Sequence, residues 1–205
     1  MNKFDVIVIG GGHAGVEAAD VASRCGVNTL LITHDKNKIG EMSCNPAIGG
    51  IGKSHLAKEV DALGGLMARA ADSAGIHYRV LNSTKGQAVR ATRVQTDREL
   101  YKAFIQQTLS KSKNLTIQEG SVVDVTIQNS TIKSIHTEDG AEIFGKTIIL
   151  TTGTFLGGVM HTGLEQSPGG RVGDPSSDML ASKLRSLNLK AVSYTHLTLP
   201  TILLV

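Results

Sequence analysis

The stretch Phe-Asp-Val-Ile-Val-Ile-Gly-Gly-Gly-His-Ala-Gly, residues 4–15, decides the fold. Its first six residues form a short, mostly apolar run, which is typical of a parallel strand buried on both faces. Glycines follow at once, and residues 16–25 then have the composition of a helix that ends at Gly26. A second apolar run at 28–33 completes a strand–turn–helix–strand unit, which predicts a parallel α/β sheet.

Three glycines in this stretch have the spacing of a dinucleotide-binding fingerprint, Gly10-x-Gly12-x-x-Gly15. Gly10 allows a tight turn, Gly12 lets the backbone approach a pyrophosphate, and Gly15 lets the helix pack closely on the strand. Ala19 keeps the same face of the helix small. The positive end of the helix favours phosphate oxygens by ~0.3–1 kcal/mol for each contact. The pattern therefore predicts a dinucleotide site rather than a plain Gly-rich turn.

The fingerprint alone does not choose between FAD and NAD. A ribose-binding acidic residue is expected at the end of the second strand, and Asp35 stands there in a displaced position. Residues 120–122 and 149–154 resemble two later elements of FAD proteins, a strand that offers its backbone to adenine and a small-Thr-Gly turn under the cofactor. Because NAD-only domains do not need these elements, the second half of the chain favours FAD.

Composition and charge exclude several classes of protein. The chain is 40% hydrophobic and 19% charged, which is ordinary for a globular protein and wrong for a disordered one. No apolar run reaches the ~18 residues of a membrane span, and the N-terminus lacks the features of a signal peptide. Only Cys25 and Cys44 are present, without metal-ligand spacing, so we expect a reducing, cytoplasmic location and neither metal nor membrane binding. The net charge of +3 is too small to diagnose nucleic-acid binding.

The rest of the chain predicts further helices and a small antiparallel meander. We expect, in order, a loop at 39–52, a helix at 53–71 interrupted near Gly64-Gly65, a mixed and basic segment at 75–97, a helix at 98–111, short antiparallel strands between 115 and 144, and a buried strand at 146–151. Gly52-Lys53-Ser54 resembles the end of a P-loop, but Ala47 stands where that motif needs glycine. The predicted fold class is α/β, a Rossmann-like FAD-binding domain over residues 1–190 with a parallel sheet and a small antiparallel β-meander, truncated.

Four stretches are more specific than the fingerprint. They are residues 10–15, residues 42–65 beginning Met-Ser-Cys-Asn-Pro-Ala-Ile-Gly-Gly-Ile-Gly-Lys, residues 85–93, and residues 169–175 with the run Gly-Gly-Arg-Val-Gly-Asp-Pro. On these motifs the chain resembles the GidA family, enzymes that place a carboxymethylaminomethyl group on the wobble uridine of tRNA. The resemblance covers residues 3–190.

The resemblance implies an FAD-dependent, tRNA-modifying enzyme. The family uses NADH and methylene-tetrahydrofolate, and its homodimer joins the GTPase MnmE in a heterotetramer that acts on tRNA. Carried over residue by residue, the resemblance assigns FAD contacts to Gly10, Gly11, Gly12, His13, Ala14, Gly15, Val122 and Ser177. Because family members are several hundred residues longer, we expect this chain alone to bind FAD weakly and to be inactive on tRNA.

Modification of uridine at C5 gives a reason for a cysteine near the cofactor. A thiolate that adds at C6 makes C5 nucleophilic, and Cys44 stands in the polar, Gly-rich motif of the family. Cys44 is therefore the candidate catalytic residue, with a small packed thiol as the alternative. For Cys25, at the end of the first predicted helix, we expect a buried side chain that only fills space.

Residues 79–102 carry six basic side chains and two acidic ones, a net charge of 6 − 2 = +4. Such a segment suits contacts with tRNA phosphates, which are electrostatic and sensitive to salt. A solvated face, or arginines that serve the flavin and a dimer interface, accounts for the same charges. The sequence leaves these interpretations open.

The end of the chain and the function each leave an alternative. Residues 191–205 depart from the family's pattern, and we interpret them as a non-family tail produced by a frameshift, a truncation or a sequencing artefact. Rival functions are a folate- and FAD-dependent tRNA methyltransferase, a generic FAD-linked oxidoreductase, and a non-enzymatic nucleotide-binding module that recruits partners. The Cys-Asn-Pro-Ala-Ile-Gly-Gly motif at 44–50 argues against the first two.

Overall fold

Strands and helices alternate over the first half of the chain, and strands dominate the second half. A computed structural model describes residues 3–42, 45–170 and 176–187. The strands are β1 (Lys3–Ile9), β2 (Thr29–Thr33), β3 (Ala47–Gly49), β4 (Gly75–Leu81), β5 (Ala91–Thr96), β6 (Leu115–Glu119), β7 (Val122–Gln128), β8 (Thr131–Thr137), β9 (Glu142–Leu150), β10 (Val159–Thr162) and β11 (Glu165–Pro168). The helices are α1 (His13–Arg24), α2 (Ser54–Ala62), α3 (Leu66–Ala74), α4 (Arg98–Ser110) and α5 (Asp178–Ser186). Within these described ranges no helix is long and apolar enough to cross a membrane.

Six strands form the central sheet, in the order β6-β2-β1-β9-β8-β7. The pairs β6–β2, β2–β1 and β1–β9 are parallel, whereas β9–β8 and β8–β7 are antiparallel. Strand β9 changes partner at Phe144, which lies opposite Lys3 of β1 and Ser134 of β8. The parallel sheet and the meander therefore share one strand, and the predicted α/β class with a small antiparallel meander is confirmed.

Two details of the predicted meander are wrong. Residues 142–144 and 146–151, predicted as two strands, belong mostly to the single strand β9. Gly145 does not break this strand, because it packs against Ile7, where a Cβ would approach the Ile7 Cδ1 atom to 2.6 Å. Residues 116–118, expected in the meander, lie in β6, which pairs in parallel with β2. A short apolar run reveals a strand but not its partner, which tertiary packing selects.

Alternate residues of the central strands enter two separate cores, one on each face of the sheet. Val8 and Leu31 face the layer of helices α1, α3 and α4, whereas Ile7 and Leu30 face the side covered by the meander and α5. All four side chains are fully buried. Burying one side chain of this size contributes about 1.5–3 kcal/mol. The prediction that both apolar runs are strands buried on two faces is confirmed.

A three-stranded antiparallel sheet in the order β3-β5-β4 packs beside α2 and α3, where the sequence predicted only a loop and a mixed segment. Its inner face carries Ile48 and Val94, which join the core on the helix side. The edge strand β4 is exposed from Ile76 to Val80, so no alternation of buried and exposed residues marks it as a strand. The hairpin of β10 and β11 is exposed at most of its positions, so its sequence also shows no alternation that would predict strands.

Helix α1 starts earlier than predicted and leaves its cysteine outside. The helix begins at His13 because Gly12 takes the N-cap position, and it ends at Arg24. Cys25 follows as the C-cap and is exposed, so the prediction of a buried Cys25 is wrong. The predicted packing of Ala19 is confirmed by its complete burial. The predicted interruption near Gly64 is also confirmed, since α2 and α3 are separate helices.

The end of the chain stays a matter of prediction. Residues 188–205 lie outside the described residues, and with them the whole of the segment 191–205 that we interpret as a non-family tail. The boundary predicted at residue 190 falls in the same range.

The start of α3 is held by a side chain from another helix. Glu17 of α1 accepts hydrogen bonds from the backbone N–H groups of Leu66, at 3.0 Å, and Met67, at 2.6 Å. No side chain of its own caps α3, because its N-cap residue is Gly65. The Glu17 carboxylate therefore satisfies two N–H groups that the helix cannot satisfy itself, and it fixes α3 to α1.

Replacing Glu17 by alanine is expected to destabilise the protein. The Glu17→Ala variant leaves both N–H groups without their acceptor, and we expect it to lower the free energy of unfolding by about 1–2 kcal/mol. Urea denaturation followed by circular dichroism measures the change. The matched control is Glu59→Ala, an exposed helical glutamate with no such contact, expected to change stability by less than about 0.5 kcal/mol. Equal stabilities of the two variants would contradict the capping role.

Candidate functional site

A cavity of about 350 Å³ opens at the carboxyl ends of β1, β2 and β9. Ligands of open parallel sheets bind at this edge, and the volume falls within the range of cofactor pockets. The described residues that line the cavity are Ile9, Gly10, Gly11, Gly12, Ile32, Thr33, His34, Asp35, Lys38, Glu41, Gly120, Val122, Thr151, Thr152, Gly153, Phe155, Ser177 and Leu180.

The first glycine turns the chain from β1 into α1. Gly10 has a φ of +110°, which side chains rarely tolerate, and its N–H donates to the carbonyl of Ile32 at 2.9 Å. A Cβ at Gly10 would overlap the carbonyl oxygen of Thr151. A Cβ at Gly15, one turn into α1, would overlap the carbonyl oxygen of Gly10. Both glycines are therefore needed for the close contact of helix and turn, as the fingerprint predicted.

Gly12 differs from the other two glycines, because the space beside it is open. Its φ of −74° is ordinary, and a Cβ there would meet no protein atom within 4 Å. Gly12 lines the cavity and caps α1, whose N-terminus has no side-chain cap. The positive end of the helix thus meets a space that a side chain would partly fill. This geometry fits the diphosphate of a dinucleotide.

Thr151 connects the end of β9 to the glycine turn. Its Oγ1 donates to the carbonyl of Ile9 at 2.8 Å and lies 3.1 Å from the carbonyl oxygen of Gly10, and its N–H donates to Ile9 at 2.9 Å. Thr152 and Gly153 continue along the cavity wall. The sequence singled out this small-Thr-Gly turn, but it contained no sign that the Thr151 hydroxyl bonds to the turn.

Val122 and Ser177 lie in the same cavity wall although they are far apart in the chain. Val122 is the first residue of β7 and is almost fully buried. Ser177 is the N-cap of α5, and its N–H donates to the carbonyl of Phe155 at 2.8 Å. A second helix N-terminus therefore reaches the cavity. That these residues contact a cofactor stays a prediction.

An ion pair holds α5 against the meander. The Lys183 ammonium lies 3.0 Å from the Asp124 carboxylate of β7. Burial alone would raise the pKa of Asp124, but the hydrogen bonds and charge of Lys183 and the N–H of Val125 outweigh it, so the pKa lies below its ordinary value. Asp124 is thus ionised at neutral pH, and the contact keeps Ser177 at the cavity.

Asp35, the displaced candidate for ribose, lies at the cavity but already has a local bond. Its Oδ1 accepts the N–H of Asn37 at 2.8 Å and caps the short 3₁₀ turn Lys36–Lys38. Its neighbour His34 places Nε2 3.3 Å from the hydroxyl of Ser121. The end of β2 is therefore shaped by local hydrogen bonds, in which one carboxylate oxygen of Asp35 caps the turn.

Three of the predicted FAD contacts do not line the cavity. His13, Ala14 and Gly15 form the first turn of α1, directly after the lining residue Gly12, and that they contact a cofactor stays a prediction. The His13 ring packs edge-on against Tyr101, with ring centroids 5.7 Å apart. Burial, together with the Glu17 carboxylate, raises the pKa of Tyr101 well above its ordinary value. His13 therefore packs on a neutral phenol.

Two other predicted elements lie outside the described residues. Cys44, the candidate catalytic residue, is one of them, so its role stays a prediction. Most of the Gly-Gly-Arg-Val-Gly-Asp-Pro motif, residues 171–175, is the other.

Comparison with known proteins gives one family. Residues 5–203 match the sequence model of the family described as "Glucose inhibited division protein A". The chain is also similar to the solved structure of GidA from Aquifex aeolicus, with a TM-score of 0.87 and 43% sequence identity. The match covers 92% of this chain and 31% of the A. aeolicus chain, so this chain spans about a third of that protein's length.

More distant structures share the fold. A GidA-related protein from Thermus thermophilus has a TM-score of 0.64 and 18% identity, over 91% of this chain and 69% of that one. PqsL from Pseudomonas aeruginosa, a probable FAD-dependent monooxygenase, has a TM-score of 0.52 and 15% identity, over 72% and 42% of the two chains. At such identities the likeness concerns the fold alone.

A methyl group at Gly12 is expected to weaken FAD binding without unfolding the protein. The Gly12→Ala side chain enters the space for the diphosphate, and we expect at least about tenfold weaker binding, equal to ~1.4 kcal/mol. Quenching of FAD fluorescence measures the affinity, and urea denaturation measures the stability. Gly86→Ala is the matched control, since Gly86 also has an ordinary φ of −58°, has no atom within 4 Å of a Cβ and lies away from the cavity.

Gly15→Ala, unlike Gly12→Ala, is expected to lower the stability of the fold itself. The added Cβ overlaps the Gly10 carbonyl, so helix and turn must separate, at a cost of about 1–3 kcal/mol in stability.

If Gly12→Ala bound FAD like the Gly86→Ala control, the assignment of the open space to a diphosphate would be wrong.

Proposed function

The chain belongs to the glucose inhibited division protein A (GidA) family, and from this premise we propose that it is the FAD-binding part of an enzyme that modifies the wobble uridine of tRNA. One observation carries the proposal: the open space at Gly12, at the uncapped start of α1, in a chain 43% identical to A. aeolicus GidA. The group added would be carboxymethylaminomethyl, at C5 of the uridine.

The residues of the cavity fit FAD in three places. The backbone from Gly10 to Gly12 and the N-terminus of α1 would hold the diphosphate. Val122 would offer its backbone to the adenine, and Ser177, at the N-terminus of α5, would meet the cofactor from the other side. FAD, when bound, supplies hydride equivalents, while the protein supplies orientation and electrostatics.

The apolar part of the wall limits the access of water. Ile9 and Leu180 are buried side chains of the core that also line the cavity, and Phe155 lies beside them. A wall of this kind keeps the dielectric constant low, so the dipoles at the two helix N-termini act more strongly on a bound anion.

Cys44 is the nucleophile in this proposal. Its thiolate would add to C6 of the uridine and pass the electron pair towards O4, which makes C5 able to attack a one-carbon electrophile. Loss of the C5 proton and of the thiolate then restores the ring. Support comes from the position of Cys44 in the motif that resembles the family's and from the chemical need for a nucleophile at C6.

The remaining parts of the activity follow from the family alone. NADH as reductant, methylene-tetrahydrofolate as one-carbon donor, a homodimer and a GTPase partner belong to the proposal as properties of the whole protein. The chain spans 31% of the A. aeolicus GidA chain, and residues elsewhere in such a protein would complete these functions.

Deletion of the gene is expected to remove the carboxymethylaminomethyl group from wobble uridines. Mass spectrometry of nucleosides from total tRNA measures the modification, and a wild-type copy of the gene should restore it. A Cys44→Ser copy should leave the modification at least about 100-fold lower, since the ring would lack its nucleophile. Cys25→Ser is the matched control, because Cys25 is exposed at the end of α1, and it should restore the modification fully.

Two results would contradict this proposal at different levels. Unchanged tRNA in the deletion strain would remove the tRNA-modifying function and leave a flavoprotein of another kind. Full restoration by the Cys44→Ser copy would keep the function and remove Cys44 as its nucleophile.

A further inference from the structure

The segment between Asp72 and Asp97 contains no acidic residue. It carries four basic side chains: Arg79, Lys85, Arg90 and Arg93. In the structure this segment forms β4, the following connection and β5, that is, two strands of the three-stranded sheet. We call these four residues the basic surface. Arg79, Lys85 and Arg90 are exposed, and Arg93 is half-buried.

The strand register sets two arginines side by side. Arg79 of β4 lies directly opposite Arg93 of β5 in the antiparallel pair. Residues in such positions have their Cβ atoms about 5 Å apart on the same face, and like charges there destabilise the sheet. On the other side of Arg93 stands Gly49 of β3, which has no side chain to cover the guanidinium group. The pair is therefore held together by the fold against its own repulsion.

No carboxylate neutralises this surface within the described part of the chain. Arg90 donates to the carbonyl of Lys85 at 3.1 Å, and Arg93 donates to the amide oxygen of Asn45 at 3.0 Å, and neither bond removes charge. The next two basic residues along the chain are different. Arg98 lies 3.4 Å from Glu41, and Lys102 lies 2.8 Å from Glu99. Of the six basic residues in the stretch 79–102, the four of the basic surface have no carboxylate partner among the described residues, and the two in α4 are paired.

The sheet gives these charges a rigid support and a defined place. Ile48 and Val94 on its opposite face are buried in the helix-side core. The bond from Arg93 to Asn45 ties the basic surface to the loop in which Asn45 directly follows Cys44 in sequence. A polyanion bound to this surface is therefore brought to the loop that carries the proposed nucleophile.

We propose that Arg79, Lys85, Arg90 and Arg93 bind the phosphodiester backbone of the tRNA substrate, with Arg79 and Arg93 together on one phosphate. The proposal rests on the proposed function. Guanidinium groups hold phosphate oxygens through paired hydrogen bonds, and a phosphate between two arginines relieves their mutual repulsion. Contacts of this kind set position and register without reading the sequence, so the surface orients the anticodon region for the chemistry.

Binding of an unmodified tRNA transcript to the whole gene product, measured at several salt concentrations, tests the surface. Each phosphate contact contributes about 0.7–0.9 to the slope of log affinity against log salt. Because the two arginines share one phosphate, the Arg79→Gln/Arg93→Gln variant should lose about 0.7–0.9 of this slope and bind about tenfold more weakly at ~0.15 M salt. The Arg79→Lys/Arg93→Lys variant keeps the charges and should keep most of the slope.

The matched control removes the same charge elsewhere. Lys113→Gln/Lys133→Gln changes two exposed lysines that lie before β6 and in β8, in the other sheet, and should alter the affinity less than about twofold. FAD content should be equal in all variants, which shows that the fold and the cofactor site are intact.

Three outcomes would contradict the proposal that the basic surface binds tRNA. They are an unchanged slope in Arg79→Gln/Arg93→Gln, an equal loss in the lysine control, and no measurable tRNA binding by the wild-type protein. Mass spectrometry of tRNA from the deletion strain decides separately whether the proposed function stands. An acidic protein partner that binds this surface in place of tRNA would appear as the first outcome.

Discussion

The close contact between the start of α1 and the turn after β1 is the constraint on which the rest of the structure depends. Gly15 leaves no room for a side chain above the Gly10 carbonyl, and the Thr151 hydroxyl joins the same turn from β9. Three elements are thereby drawn to one point at the edge of the parallel sheet. The N-terminus of α1 then has only one direction in which to face, towards the open space at Gly12. The cavity follows from backbone geometry, and its side chains mainly supply the walls.

The sequence predicts this part of the molecule well because the signals are local. Glycine spacing and two continuous apolar runs determine the strand–turn–helix–strand unit, and the structure agrees. The sequence does not predict what tertiary pairing decides: the single strand across Gly145, the parallel partner of β6, and the sheet formed by β3, β5 and β4. The sequence also does not fix the end of α1 to one residue, and Cys25, predicted inside the helix and buried, is its exposed C-cap.

Not every residue that the motifs assigned to the cofactor lines the cavity. Val122 and Ser177 were assigned by resemblance and lie with the glycine turn in one cavity, whereas His13 and Ala14 of the glycine motif do not line it. The bond of Thr151 to Ile9 joins residues more than a hundred positions apart, and the apolar wall brings Phe155 and Leu180 to the end of β1, so neither had a signal in the sequence. The sequence likewise does not reveal that Arg79 lies opposite Arg93, because that pair depends on the register of β4 and β5.

Two parts of this chain differ in their physics: the glycine turn of the cavity suits a cofactor diphosphate, and the unpaired charges of the basic surface suit RNA phosphates. The central claim is that the backbone from Gly10 to Gly12, at the N-terminus of α1, holds the diphosphate of FAD. A crystal structure of the protein with FAD tests it most directly. We expect diphosphate oxygens to accept hydrogen bonds of about 2.9 Å from backbone N–H groups beside Gly12. A diphosphate bound away from α1, with this space filled by water alone, would contradict the account.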